Sequence, residues 1–190
     1  ELDMSIFVFV ISKLYLKILK ATLQLLQNYD RSTMSPIRSY TAFYYHLKVI
    51  NSRSIVSAKN CRVMLRQLHR RGPDGEFHPE VLTVPLQYVW SPAEWAPALQ
   101  TVADEAVLDF GRISQSDIFR PTLYITSANF KGFVTSNDSV RFSLQIVADN
   151  FVSSKLQIFE VSWNGRWAET AEDMSKNLII SEVKPNEAKA

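Results

Sequence analysis

The residue types able to do chemistry are few in this chain and widely spaced. Its three histidines, His46, His69 and His78, and its one cysteine, Cys61, fall in separate segments. A zinc-type centre needs several such ligands at short spacings, and no such grouping is present. His69 and His78 flank one loop, which puts them within reach of each other. Nucleophilic catalysis needs a serine or cysteine beside a base and an orienting acid. Serines are plentiful, but none sits in the glycine pattern of a nucleophile elbow. Asp104-Glu105 is a carboxylate pair, yet neighbours on a strand point to opposite faces and do not work together. No glycine-rich loop opens a helix to cradle a nucleotide phosphate. The sequence points away from an enzyme and calls for no metal and no cofactor.

Cations are the better signal. Lys59, Arg62, Arg66, Arg70 and Arg71 form the most basic stretch of the chain beyond its first segment. Arg62, Arg66 and Arg70 share strand parity, so they are expected to line one face. With Lys59 they make a candidate anion-binding row, suited to phosphates or lipid headgroups. The plainer reading is a solvated outer face. Aromatics that could stack bases are not interleaved with the row, so nucleic-acid reading is disfavoured. The net charge of +2 hides a strong asymmetry. Residues 1–72 hold 12 Lys and Arg against 3 Asp and Glu, a balance of +9. Residues 73–190 hold 9 against 16, a balance of −7. A basic first third suits an anionic surface as partner.

That first third opens with a strongly apolar stretch. Lys13, Lys17, Lys20, Gln24 and Gln27 recur at steps of four and three, and nearly everything else from Ile6 to Leu26 is apolar. The spacing predicts one long helix over residues 1–28 with a narrow polar stripe. Lys13, Lys17 and Lys20, with Phe7, Phe9 and Leu14, are then the expected membrane contacts. An in-plane helix with snorkelling lysines fits this pattern. A transmembrane span needs about 20 apolar residues, and three central lysines cost roughly 2.5–3.5 kcal/mol each. A homo-oligomeric bundle and packing on the chain's own domain are the other readings. No basic leader precedes the apolar run, so a standard secretory signal is not expected.

Beyond a polar linker over residues 29–42 the period changes from helical to alternating. Phe43, Tyr45, Leu47 and Val49 alternate with polar or amphipathic neighbours, as do Cys61, Val63 and Leu65. Further runs cover Leu86–Trp90, Ala106–Phe110, Leu123–Ile125, Arg141–Val147 and Leu156–Trp163. Thr170 ahead of Glu172 and Asp173 predicts a short capped helix ending near Asn177, and Leu178–Val183 a last strand. Asn137-Asp138-Ser139 fits a glycosylation acceptor but reads as a turn. The single cysteine excludes an internal disulfide and suits a reducing compartment. Hydrophobic residues at 46% and charged ones at 21% exclude a mainly disordered chain.

The expected architecture is mainly β. It is an immunoglobulin-like antiparallel β-sandwich of about seven to eight strands over residues 43–184, preceded by the long helix and followed by a tail over 185–190. Several short segments carry a resemblance. Lys48-Val49-Ile50-Asn51, Ala58-Lys59-Asn60-Cys61-Arg62, Trp90, Asp109-Phe110-Gly111, and Trp163-Asn164-Gly165-Arg166-Trp167 on to Met174 and Leu178 resemble landmarks of one group. That group is the Ig-like domains of prokaryotic membrane-associated proteins of poorly defined function. The resemblance spans residues 43–183, implies that fold and a membrane-side location, and brings no catalytic residues. The function expected is a non-enzymatic, membrane-associated binding module. Its helix would be the anchor, its β-domain would lie on the cytoplasmic side, and its partner would be an anionic membrane or a neighbouring membrane protein. A homo-oligomeric subunit assembled through the helix is the alternative, and a nucleic-acid accessory domain a weaker one.

Overall fold

The structure is a computed structural model describing residues 14–18, 22–29, 36–52, 56–93, 96–115, 118–153 and 155–184. Its first strands are β1 (Leu14–Ile18), β2 (Thr22–Tyr29), β3 (Pro36–Asn51), β4 (Ala58–Arg71) and β5 (Phe77–Glu80). Next come β6 (Leu86–Gln87), β7 (Val89–Trp90), β8 (Gln100–Val102), β9 (Glu105–Ser114) and β10 (Arg120–Pro121). The chain continues with β11 (Asp138–Ala148), β12 (Phe151–Val152), β13 (Gln157–Trp163), α1 (Ala171–Asn177) and β14 (Leu178–Val183). All the paired strands are antiparallel.

Two expectations are corrected here. The long N-terminal helix is not found: where it was expected, Leu14–Ile18 and Thr22–Tyr29 are strands, both laid along β3. Leu14-Tyr15-Leu16-Lys17-Ile18 also alternates with period two, and pairing with β3 selects that period over the helical one. Phe7, Phe9, Lys13 and Lys20 lie outside the described residues. Leu14 and Lys17 stand in β1 opposite Asn51 and Lys48. The only helix among the described residues is α1, and none is long and apolar enough to cross a membrane.

The second correction concerns size. In place of an immunoglobulin-like set of seven to eight strands, the described residues form a six-stranded and an eight-stranded sheet. The excess arises because long strands carry several short partners along one edge. β3 takes both β1 and β2, and β4 takes β5, β6 and β8 in succession. β8 is a three-residue ladder in a stretch without a strand signal, and the run read as one strand over Leu86–Trp90 splits into β6 and β7, which pair in different sheets. β3 begins at Pro36, within the stretch read as a linker.

The sheets face each other as a β-sandwich over one core. Alternation puts Phe43, Tyr45, Leu47 and Val49 of β3 inside, with Val63 and Leu65 of β4 and Phe142 and Leu144 of β11. A β-bulge pairs Tyr45 with Gly111 and His46 with Asp109, leaving Phe110 as the extra residue. The Phe110 ring bridges the sheets, 5.6 Å from Phe142 and 6.0 Å from Phe159 by ring centroids. Such pairs add roughly 0.5–1.5 kcal/mol each beyond simple burial. The chain changes sheet at Tyr88, between β6 on one side and β7 on the other, and the Tyr88 N–H donates to Val63 O at 2.9 Å.

Local signals shape the ends. Thr170 caps α1 by accepting the Asp173 N–H at 3.2 Å, and the helix buries Met174. Asn137, in the acceptor-like tripeptide, has φ 58° and sits in a turn. Gly111 is required by crowding: a Cβ there would lie 2.8 Å from Arg120 O and closer still to the buried Phe119 ring.

Candidate functional site

The outer face of the eight-stranded sheet is where the arginines gather, and a second bulge decides which of them belong to it. β11 pairs Ser143 with Gln67 and then Leu144 with Leu65, so Arg66 is the extra residue on β4. The bulge shifts the parity of the strand. Leu65 and Leu68 both point inward although three residues apart, Arg62 and Arg66 stay outside, and Arg70 crosses to the other face.

Arg70 therefore leaves the expected row. Its Nε donates to Glu80 Oε1 at 3.1 Å, Nη1 to Asp138, and Nη2 to the carbonyls of Lys131 and Phe133. That pairing is a structural clamp joining the β4–β5 hairpin to the segment before β11. Lys59 lies at the other end of β4, exposed, where its carbonyl accepts the Asp149 N–H at 2.9 Å.

At the outward register positions of β4, β11 and β13 the charged side chains are Arg62, Arg66, Arg71, Arg141 and Glu160. Glu160 serves two of the arginines. It accepts from Arg141 Nε at 3.0 Å and from Arg71 at 3.2 Å. Both guanidinium groups also lie over the Phe77 ring, at 3.7 Å for Arg141 and 4.9 Å for Arg71. His69 stands opposite Arg141 in the register. Burial, and then the Arg141 charge, hold its pKa below the ordinary histidine value, which favours its neutral form.

Arg62 and Arg66 are different. Arg66 Nε donates to the neutral Gln145 at 2.7 Å, and neither arginine meets a carboxylate among the described residues. Arg62 Nε is also buried without a hydrogen-bond partner there. A buried donor of a charged group is costly to leave unmet.

The other polar clusters are committed to architecture. His46 Nδ1 and Asp109 Oδ1 lie 2.8 Å apart across the first bulge but are out of line for a hydrogen bond. Asp109 Oδ2 accepts the Ala93 N–H at 3.0 Å and so holds the turn in which Ala96 N–H reaches Pro92 O. The sequence reading missed this pair, and its one signal was a carboxylate inside the apolar run Val107-Leu108-Asp109-Phe110. His69 and His78 do not meet: His69 pairs with Pro79 and His78 with Arg70, so the two point to opposite faces. His78 instead contacts Asp74 at 2.8 Å across the exposed hairpin turn. Asp104 and Glu105 are also separated in role. Asp104 O accepts the Asn51 N–H, whereas Glu105 pairs with Lys48 at 2.8 Å. Cys61 is fully buried, and desolvation pushes its thiol up to about 12. Among the described residues no three metal-ligating side chains come together.

No family model, curated protein or solved structure matches the chain.

Proposed function

We propose that this chain is a non-enzymatic binding module that docks on an anionic phospholipid surface through the outer face of its eight-stranded sheet. The observation carrying this reading is the pair Arg62 and Arg66, two cations of one strand with no carboxylate partner among the described residues. Arg71 and Arg141 extend the positive field, with Glu160 as the one counter-charge at these register positions. Guanidinium groups match phosphate oxygens bidentately, which favours headgroup contacts over diffuse attraction. The acid–base pairs described above each hold a turn or a strand, which supports a binding role over a catalytic one.

Co-sedimentation with phosphatidylserine-containing and pure phosphatidylcholine vesicles tests the proposal. Binding is expected only to the anionic vesicles and is expected to fall with salt. A basic residue near such a surface is worth about 1 kcal/mol, so the double substitution Arg62→Gln/Arg66→Gln should weaken binding by about tenfold or more. Equal partitioning to both lipids, or an unaffected double variant, would overturn the assignment.

A further inference from the structure

Arginine–headgroup attraction of that size is weak by itself, and stable peripheral attachment usually combines it with a second, apolar contribution. The molecule has an apolar surface beside the arginine face. Among the described residues, eight large hydrophobic side chains are exposed, and five of them are Val81, Val84, Leu99, Tyr124 and Ile125. These five belong to segments that hang on the short strand β6. β6 pairs with Met64 and Leu65, between Arg62 and Arg66 on β4. Gln87 of β6 accepts the Tyr124 N–H through its carbonyl at 3.0 Å, and its side chain donates to Ala98 O at 2.6 Å. Val84, Leu99, Tyr124 and Ile125 are thus within a few residues of one another across β6, along the edge next to the unpaired arginines.

Their exposure is large where it decides the matter: Val81 is 78% exposed and Ile125 75%. The sequence around them also carries little charge. From Val81 to Ala103 and from Pro121 to Phe130 the one charged residue is Glu94. Isolated exposed aliphatics are ordinary, but a group of them in sparsely charged segments beside cations is not. Such a surface can enter the headgroup–acyl boundary with little charge to desolvate, while the neighbouring guanidinium groups remain at phosphate depth.

We infer that the segments carrying Val81, Val84, Tyr124 and Ile125 insert into the bilayer interface, so that the arginine face is tilted down on its β6 side with Arg62 and Arg66 at headgroup level. This rests on the proposed docking to anionic lipid and adds the depth and orientation of the bound domain.

The buried thiol of Cys61 leaves the chain free for site-specific labelling at an introduced cysteine. An environment-sensitive fluorophore at Ile125→Cys is expected to shift to the blue, and to be quenched by bromine-labelled acyl chains, on mixing with phosphatidylserine-containing vesicles. The same label at Ile179→Cys, on β14 at the opposite edge of the sheet, is expected to do neither. The double substitution Val84→Ser/Ile125→Ser should lower the salt-resistant part of vesicle binding about tenfold with the near-ultraviolet spectrum retained. Vesicle binding without a shift at position 125 overturns the insertion and leaves the arginine contact standing. A shift with neutral vesicles as strong as with anionic ones keeps the insertion and removes the arginine contact. Absence of binding to any vesicle removes both.

Discussion

The guanidinium of Arg141 lies 3.7 Å from the centre of the Phe77 ring, joining β11 to β5 across the intervening β4. Arg71 approaches the same ring, and both arginines share Glu160. The ring and the carboxylate together hold two like charges side by side. A double-mutant cycle of Arg141→Met and Phe77→Leu should give a coupling of about 0.5–1 kcal/mol, with larger values if the site is well desolvated. The cycle is read from urea unfolding midpoints. Additive effects would show that the two side chains are neighbours without mutual stabilisation.

Arg70 is a different kind of arginine, because its donors are consumed by Glu80, Asp138 and two backbone carbonyls. Lysine brings the charge but cannot supply this fork of donors. Arg70→Lys should therefore cost about 2–3 kcal/mol of unfolding free energy, the scale of one or two lost hydrogen bonds to a charged group. Vesicle binding per folded molecule should be unchanged, since Arg70 faces away from the arginine face. A loss of binding with stability intact would contradict the placement made by the bulge at Arg66.

Asn51 closes the end of β3. Its side-chain amide lies 2.8 Å from Val56 O, 2.9 Å from Ala103 O and 3.3 Å from Val102 O, and the residue is 5% exposed. Every one of these contacts needs a donor. Asn51→Asp would set a carboxylate against three carbonyl oxygens, so it should be more damaging than Asn51→Ala, by about 1–3 kcal/mol. The order of the two variants in thermal unfolding decides the matter, since a side chain valued only for packing would give the reverse.

These residues also mark what sequence reading reaches. The core alternation of Phe43–Val49, the Thr170 cap and the final strand were legible because each is local: one period, one capping side chain, one apolar run. The arginine row was half legible. Parity alone put Arg62, Arg66 and Arg70 on one face, but the bulge at Arg66 depends on pairing with β11, some 80 residues away in sequence and so invisible to local periodicity. The stretch Leu14–Tyr29 carried two periods at once, and the partner strand chose between them. Val81 drew no notice in the sequence, and Ile125 was read into a strand over Leu123–Ile125 of which only an isolated bridge from Leu123 to Tyr88 forms, because exposure of an aliphatic is decided by what covers it.

His69 provides the pH-dependent test. Burial and the Arg141 charge lower its pKa in the folded chain, whereas the unfolded chain titrates near the ordinary value of about 6.5. Below that value the unfolded state binds a proton that the folded state resists, so unfolding becomes easier as the pH falls. The contribution of His69 is intact above the unfolded pKa and is lost as pH drops through the lowered folded one. Asp74 and Asp173 act in the same direction at lower pH. Their carboxyls are held below the usual range, Asp74 mainly by the Glu76 N–H and His78, and Asp173 by Lys176 and Thr170. Urea unfolding of the wild-type chain should therefore show falling stability from pH 7.5 to 5.5, before the carboxylates take part. His69→Gln keeps a polar side chain at the position and removes the titrating group, so it should flatten that interval. A wild-type curve already flat there would show that unfolding takes up no proton in that interval, and a variant that keeps the full slope would assign the uptake to another residue.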